Sequence, residues 1–551
     1  MNASTSTFPW FAMQTVDPLS FVDQFTTTEM PHPRNIVTGL LAIVLSLSYY
    51  RSVTKKNGLQ SFPGPWYAPY TAMHLRWLFA RGTIHNYVEK MHKQYGDVIR
   101  LGLRQIWVSD KRAMKQILLT IDLPKVSMYA EISRDRNSPG FFGEIRPVPH
   151  RNLKKFLSPA FPVSSVDKLD NFFKACMSTL LTNYYTEVGK AIVQDSKSNP
   201  NGNIQTDLMR DLHCLALDIM GESSFGKGFG QIDKIFDPRK MLSDRDRRWG
   251  KIPHAIFDGQ AKRYGLVFLK RFFRRMGIEW EVDWPKEMTT AISELVDERV
   301  AAEGAAKSEE RIDVLQHMLD EGARPDTGER MSNQDIIDQM SELLLAGSET
   351  TSGTMACLFV ELARTPAALT KLLASLPPLS PSTPILDSKT VRTDPQYRYL
   401  EACLKENLRM NPIASELGRR TLDQGHNING IQIPPYTIVS ASYRALHRDE
   451  RYWPEPNRFW PERWLEGEER EGAPEPDMDA YFPFSNGRHN CIGQNFAYAE
   501  MRTVSANLLS RFSLSEAGYQ KIHLRQFITM QFHDGKWKVV LKPRWKDGAE
   551  A

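Results

Sequence analysis

The sequence is poor in cysteine, and no two cysteines stand at the spacing of a metal-binding or redox pair. The 551 residues contain five of them: Cys176, Cys214, Cys357, Cys403 and Cys491. Their odd number and wide separation exclude a disulfide framework, and the lack of a C-x-x-C pair argues against a zinc site. We therefore expect most of the chain to face a reducing compartment, where a single cysteine can still serve as a nucleophile or a metal ligand.

The sequence also lacks a strong excess of charge of either sign. The formal net charge is +5, from 70 Lys and Arg against 65 Asp and Glu, and no basic stripe stands out. This excludes the electrostatic footprint of a nucleic-acid-binding protein. Internal repeats and a Gly-rich dinucleotide fingerprint are absent too, so we expect neither a repeat architecture nor a built-in nicotinamide or flavin domain.

The sequence has no hydrophobic run that is clearly long enough to cross a bilayer. The uncharged run 36–50 forms a helix of about 22 Å, shorter than the roughly 30 Å hydrocarbon core. Tyr49, Tyr50 and Arg51 follow it, as expected for an interface and a cytoplasmic flank. We predict a signal anchor here, with a cleaved or in-plane segment as the alternative. The predicted division is an N-terminal extension (1–35), a transmembrane anchor (36–51), a proline-rich connector (52–70) and one large domain (71–551).

Helical periodicity dominates the large domain, and alternating strand patterns are few. Residues 97–109 predict a β-hairpin, and 428–440 predict two short strands around a Pro-Pro turn. Polar, proline-rich or small-residue stretches predict loops at 195–204, 301–312, 374–396 and 466–479. We therefore predict a mainly α domain with a small β portion.

One cysteine lies in a distinctive setting. In FPFSNGRHNCIGQNFAYAE (482–500), Phe484, Gly487 and Gly493 surround Cys491, and a helical pattern follows it. A helix N-terminus favours a thiolate, and glycines permit close approach of backbone amides to the sulfur. The pattern suits an axial metal ligand, whereas the alternative is a buried structural cysteine in an ordinary turn.

This stretch resembles the heme-binding loop of cytochromes P450, which runs Phe-x-x-Gly-x-Arg-x-Cys-x-Gly. The match is Phe484, Gly487, Cys491 and Gly493, whereas the family's arginine is replaced by His489. The resemblance implies a cytochrome P450 fold and heme b with Cys491 as axial ligand of the iron. Histidine does not carry a full charge at neutral pH, so its contact with a heme propionate is expected to be weaker.

A second motif is AGSETT (346–351), inside a helical pattern that begins with a capping box at Ser332 and Asp335. Without the resemblance it reads as a helix with a wet polar face. The resemblance implies that Glu349 and Thr350 are the catalytic acid–alcohol pair, with Thr350 holding a water and Glu349 supplying protons.

Two further motifs, ENLR (406–409) and PERW (461–464), follow in the family's order. An isolated E-x-x-R pair is weak, because such ion pairs are common on surfaces. The resemblance implies a buried structural triad of Glu406, Arg409 and Arg463 beside the cysteine loop.

The resemblance also implies groups that bind the heme propionates. His150 and Lys154 match a family pair four residues apart, with Lys154 in place of an arginine; the alternative is a solvated helix face. A lysine offers a point charge instead of a fork. Arg419 and Arg420 are candidates for a compensating contact, and we place Arg420 in the predicted site.

The pocket is expected to be apolar. Its predicted walls are 126–148, 344–351, 411–418 and 526–532, with Tyr129, Phe141, Phe142, Ile413, Ile528 and Met530 as lining residues. Ordinary core packing explains most of these residues equally well.

The resemblance to fungal members implies a monooxygenase (EC 1.14 class) that uses O₂ on an apolar terpenoid, polyketide or alkaloid of secondary metabolism. It implies electrons from NADPH through NADPH–cytochrome P450 reductase, and a single-pass location in the endoplasmic reticulum membrane with a cytoplasmic catalytic domain. The alternatives are a heme-thiolate isomerase or dehydratase, a fatty-acid or xenobiotic hydroxylase, and a heme-binding scaffold without catalysis.

Overall fold

Helices make up most of the computed structural model, which describes residues 33–55, 58–131, 133, 139–237, 273, 276–278, 286–303, 313–323, 328–414, 418–526 and 528–545. The predicted extension 1–35 and loop 301–312 lie largely outside these ranges. The helices are α1 (Pro33–Lys55), α2 (Met73–Ala80), α3 (Ile84–Tyr95), α4 (Lys111–Lys115), α5 (Pro147–Leu157), α6 (Val163–Lys168), α7 (Asp170–Gln194), α8 (Leu208–Phe225), α9 (Gln231–Phe236), α10 (Lys286–Glu303), α11 (Val314–Glu321), α12 (Asn333–Arg364), α13 (Pro366–Ser375), α14 (Ser388–Thr393), α15 (Arg398–Met410), α16 (Tyr443–His447) and α17 (Gln494–Arg511).

The β portion is small, as predicted. Its strands are β1 (Val98–Gly102), β2 (Gln105–Val108), β3 (Ile204–Asp207), β4 (Arg419–Arg420), β5 (His426–Ile428), β6 (Ile431–Ile433), β7 (Ile438–Ala441), β8 (Phe512–Glu516), β9 (Leu524–Gln526), β10 (Met530–Phe532) and β11 (Lys538–Pro543). They form sheets ordered β1-β2-β7-β4, β3-β11-β8, β9-β10 and β5-β6.

The hairpin predicted at 97–109 is confirmed, because β1 and β2 pair antiparallel with Val98 opposite Val108. The two strands predicted in 428–440 form, but they do not pair with each other. β6 pairs with β5, whereas β7 runs parallel to β2 and antiparallel to β4. The Pro-Pro stretch therefore passes the chain from one sheet to another.

The N-terminal segment and the large domain are two separate units, divided between Gln60 and Ser61. Within the first, α1 carries the apolar stretch Val37–Leu47, whose large side chains are exposed. Among the described helices only α12 is long and apolar enough to cross a membrane, and 78% of its most apolar stretch is buried inside the protein. That burial marks α12 as a core helix.

The core helix α12 positions the site. It begins with the predicted capping box, in which Ser332 and Asp335 satisfy each other's backbone amides. Its 32 residues pack against α8, α10, α15 and α17. Side chains near its middle are therefore held on all sides, except where they face a cavity.

Candidate active site

The cysteine loop is fixed by its own backbone and by a close approach. The amide of Cys491 donates to the carbonyl of Phe484 at 2.9 Å. Gly487 has φ of +70°, and a Cβ added there would lie 2.2 Å from the carbonyl oxygen of Leu118. Only glycine fits so close to that backbone, which explains why the motif requires it.

Cys491 differs from the other four cysteines because its side chain opens into a cavity, whereas they are buried. Protein nevertheless surrounds the cavity, and this burial raises the pKa of the Cys491 thiol; the backbone N–H of Gly493 and the charge of Lys154 oppose the rise. Among the described residues no group of three or more His, Cys, Asp or Glu is placed to hold a metal ion. A cysteine that opens into a cavity can ligate a metal there as its thiolate.

The cavity has about 1880 Å³ of empty volume, including the part open to solvent. Phe484, Cys491 and Gly493 line it, as do Ala346 and Gly347 of α12. Five of the predicted wall residues also line it: Tyr129, Phe141, Phe142, Ile413 and Ile528. Met530 does not: it is fully buried in the core, so that prediction is corrected.

The acid–alcohol pair of α12 is divided between cavity and core. Thr350 lines the cavity, and its hydroxyl donates to the carbonyl of Ala346 at 2.7 Å. Glu349 is buried with 1% of its surface exposed, and its Oε2 accepts from the Thr529 hydroxyl at 3.3 Å. Because Thr529 lines the cavity, a hydroxyl connects the buried acid to it.

Two histidines that the sequence analysis named as candidates lie on the cavity wall. His150 and His489 both line the cavity, with ring centroids 4.3 Å apart. Burial lowers the pKa of His489 to about 3, helped by the charge of Arg419. Burial likewise lowers the pKa of His150. Both rings favour the neutral form, which has one N–H donor and one acceptor nitrogen. Nε2 of His489 lies 3.2 Å from Oδ1 of Asp122, so the single N–H of that ring is directed at this carboxylate.

Two positive charges line the cavity: Arg419, one of the two candidates named from the sequence, and Lys125. Arg419 lines it, whereas Arg420 is exposed and its guanidinium lies 5.7 Å from the ring of Tyr436; the prediction is corrected from Arg420 to Arg419. Lys125, missed in the sequence, also lines the cavity and forms an antiparallel bridge with Arg419. The signal that could have found it is a lysine inside the apolar stretch LPKVSMYA (123–130).

Lys154, predicted to contact a heme propionate, is absent from the cavity wall. Its ammonium donates to the carbonyl oxygens of Arg488 and Asn490, both at 3.0 Å. Burial lowers the pKa of Lys154 to about 8, whereas the nearby Cys491 raises it. Lys154 therefore stabilises the backbone of the cysteine loop through these two hydrogen bonds.

Buried cations on a cavity wall are suited to bind a ligand that carries negative charge. Lys125 and Arg419 are 5% and 3% exposed and share the cavity that Cys491 opens into. A heme needs an axial ligand at one place and donors for two carboxylates at another. This cavity provides both, so the residues present fit that group.

Glu406, Arg409 and Arg463 come together in a fully buried cluster. Arg409 holds both carboxylate oxygens of Glu406 at 2.9 Å, and Nε of Arg463 lies 3.4 Å from Oε1. Trp464, the last residue of the PERW motif, donates its indole N–H to Glu406 at 3.0 Å. The tryptophan thus adds a fourth member.

Hydrogen bonds lead from this cluster to the cysteine loop. Arg409 donates to the carbonyl of His447 at 2.7 Å, and Nε2 of His447 accepts from the amide of Phe482 at 2.8 Å. Phe482 in turn accepts from the amide of Ser485 at 3.1 Å, inside the loop. The cluster therefore supports the loop without touching the cavity.

The family model described as Cytochrome P450 matches residues 63–539. The chain is 26% identical to the Cytochrome P450 monooxygenase FUS8 of Gibberella moniliformis over 88% of both chains. It is 28% identical to the Cytochrome P450 monooxygenase acrD of Aspergillus aculeatus over 82% of this chain and 84% of that protein. The crystal structure of the cytochrome P450DA heme domain shares the fold, with a TM-score of 0.69 at 21% identity, covering 88% of this chain and 98% of that one.

The buried cluster predicts a large loss of stability on truncation. Arg409→Ala leaves the Glu406 carboxylate buried without its main partner and is expected to lower the free energy of unfolding by about 3–5 kcal/mol. Arg398→Ala, which removes an exposed ion pair with Glu469, is the control and is expected to cost less than about 1 kcal/mol. Urea unfolding followed by circular dichroism measures both. Equal losses in the two variants would contradict the structural role of the cluster.

Proposed function

The chain belongs to the cytochrome P450 family, whose members are heme-thiolate oxidoreductases, and from this we propose that it inserts one oxygen atom of O₂ into an apolar small molecule. The observation that carries the proposal is the position of Cys491, the one cysteine among the five that opens into the cavity lined by α12.

Several polar groups of the cavity take a defined role in this proposal. Cys491 would hold the heme iron, and Lys125 and Arg419 would neutralise the propionates, with a hydrogen bond from His150. His489, whose N–H is directed at Asp122, would line the site beside them. Heme b, when bound, supplies the activation of O₂. Lys154 keeps the loop that carries the thiolate in place.

Proton delivery is assigned to α12 and to Thr529. The Thr350 hydroxyl faces the cavity and can hold a water there. A proton on buried Glu349 reaches the cavity through the hydroxyl of Thr529, which contacts both. The Glu349 carboxyl does not line the cavity. We therefore assign it to proton relay, and we assign substrate binding to the side chains of the cavity wall.

The wall favours an apolar substrate. Aromatic and aliphatic side chains line most of the cavity, as in most small-molecule sites. The relatives FUS8 and acrD are monooxygenases of fungi, which supports a terpenoid, polyketide or alkaloid of fungal secondary metabolism as substrate.

Electrons and location follow from the rest of the chain. The sequence carries no dinucleotide fingerprint, so we assign the electrons to NADPH through NADPH–cytochrome P450 reductase. The exposed apolar stretch of α1 supports a single-pass anchor at 36–51 in the endoplasmic reticulum membrane, with the large domain on the cytoplasmic side.

The thiolate assignment is tested by the carbon monoxide difference spectrum of the dithionite-reduced protein. We expect a strongly red-shifted Soret band, lost in Cys491→Ser and kept in Cys214→Ala. A band at the position typical of histidine-ligated heme in the unaltered protein would contradict the proposal. Folded protein without heme would do so as well.

The propionate assignment is tested by heme retention. Lys125→Gln and Arg419→Gln each remove one charge-assisted hydrogen bond and are expected to speed heme transfer to an excess of apomyoglobin by about tenfold. Arg420→Gln is the matched control, since its side chain faces away. A similar acceleration in all three variants would show that the effect is not local.

The proposed proton delivery is tested by measuring coupling, the amount of product formed per NADPH consumed, with a substrate found by spectral screening. Turnover is expected to require NADPH, reductase and O₂, unlike that of an isomerase or dehydratase. Thr350→Ala is expected to lower product per NADPH by about tenfold or more. Ser348→Ala is the control, because it makes the same bond within α12 but is absent from the cavity wall. Unchanged coupling in Thr350→Ala would remove that residue from the mechanism.

A further inference from the structure

A second carboxylate of α12 faces the cavity, about two helical turns before Thr350. Glu342 is 4% exposed and lines the cavity. Its Oε1 accepts from the hydroxyl of Ser133 at 2.5 Å. Its Oε2 accepts from the amides of Phe142 at 2.7 Å and Gly143 at 3.3 Å. The mechanism above does not use this group.

The bonds of Glu342 belong to a larger attachment. Gln339, one turn earlier on α12, accepts from the amide of Phe141 at 2.8 Å. Three successive backbone amides, at 141, 142 and 143, are thus bound by two side chains of one helix. This segment has no regular secondary structure, and its buried amides need such partners.

Two glycines make the attachment possible. A Cβ on Gly140 would lie 2.5 Å from the carboxyl carbon of Glu342, and a Cβ on Gly143 would lie 1.8 Å from the hydroxyl oxygen of Ser133. Neither distance is open to a real side chain. The backbone of this segment can therefore reach the carboxylate only because both positions lack one.

The segment carries two rings of the cavity wall. Phe141 stacks on His150 with centroids 4.9 Å apart, and Phe142 meets Tyr129 edge-on at 5.7 Å. Because the amides of both phenylalanines are tied to α12, the rings are held at a fixed distance from the helix that carries Thr350.

We propose that Glu342 is a positioning residue, which holds Phe141 and Phe142 as a rigid wall that selects substrates by bulk. The inference rests on the proposed function, in which this cavity is the active site. The alternative, that Glu342 binds a cationic substrate directly, is disfavoured because its oxygens already accept three hydrogen bonds.

The wall itself is tested by hydrogen–deuterium exchange in the peptide 139–146 of the heme-loaded full chain. Glu342→Leu removes all three acceptor contacts, and its peptide is expected to exchange about tenfold faster or more. In Glu342→Gln the amide oxygen accepts from Phe142 and Gly143, and the NH₂ group donates to Ser133, so protection is expected to persist. Ser341→Ala is the matched control, since its hydroxyl bonds only within α12.

Selection by bulk is tested with two azole probes of different size, imidazole and 1-phenylimidazole, through the Soret shift. We expect Glu342→Leu to leave the dissociation constant of imidazole unchanged and to change that of 1-phenylimidazole about tenfold, since only the larger probe reaches the wall. Glu342→Gln is expected to match the unaltered protein for both probes.

Unchanged exchange in Glu342→Leu overturns the proposal. Loss of protection in Glu342→Gln as well shows that the negative charge, and not the geometry, matters, and it overturns the proposal too. If Glu342→Leu does not fold, Glu342→Asp, which withdraws the carboxylate by one methylene, must show the same loss. A missing thiolate spectrum removes the proposed function, whereas the exchange result remains a separate measurement.

Discussion

The buried carboxylate of Glu406 is the constraint on which the cysteine loop depends. Arg409 binds this carboxylate and, through the carbonyl of His447, the turn that accepts the amide of Phe482. Burial lowers the pKa of His447 to about 3, so its ring stays neutral and remains an acceptor. A buried ion cluster is stable only while every partner is present. The position of Cys491 therefore depends on charges that lie outside the cavity.

The core helix α12 contains many polar side chains, although it runs through the interior of the protein. Its hydroxyls at Ser341, Ser348, Thr350, Thr351 and Ser352 bond to carbonyls four residues earlier in the same helix. These bonds satisfy the donor of each hydroxyl within the helix. Ser352 also contacts Nδ1 of His213 at 3.5 Å. The helix can thus hold polar groups in a core position and keep one face open to the cavity.

What the sequence predicted depended on local spacing. The loop around Cys491 and the E-x-x-R pair are short motifs, and their geometry follows from a turn or a helix. Arg419 and Arg420 are neighbours on a strand and point to opposite faces, so the choice between them needed the sheet. Lys125 and Glu342 enter the site through contacts across long sequence separations, which no motif records. The mainly α fold with a small β portion was predictable from periodicity, whereas the pairing of β6 and β7 was not.

The wall segment has a consequence for how the cavity can change. Phe141 and Phe142 lie between Gly140 and Gly143. A side chain at Gly140 is excluded by Glu342 of α12, and one at Gly143 is excluded by Ser133. Replacing either ring alters the shape of the cavity but keeps the hydrogen bonds from the backbone amides to Gln339 and Glu342. Replacing either glycine displaces the backbone instead. Substitution of Phe141 or Phe142 is therefore the change in this segment that can alter substrate selection while the position of the backbone is kept.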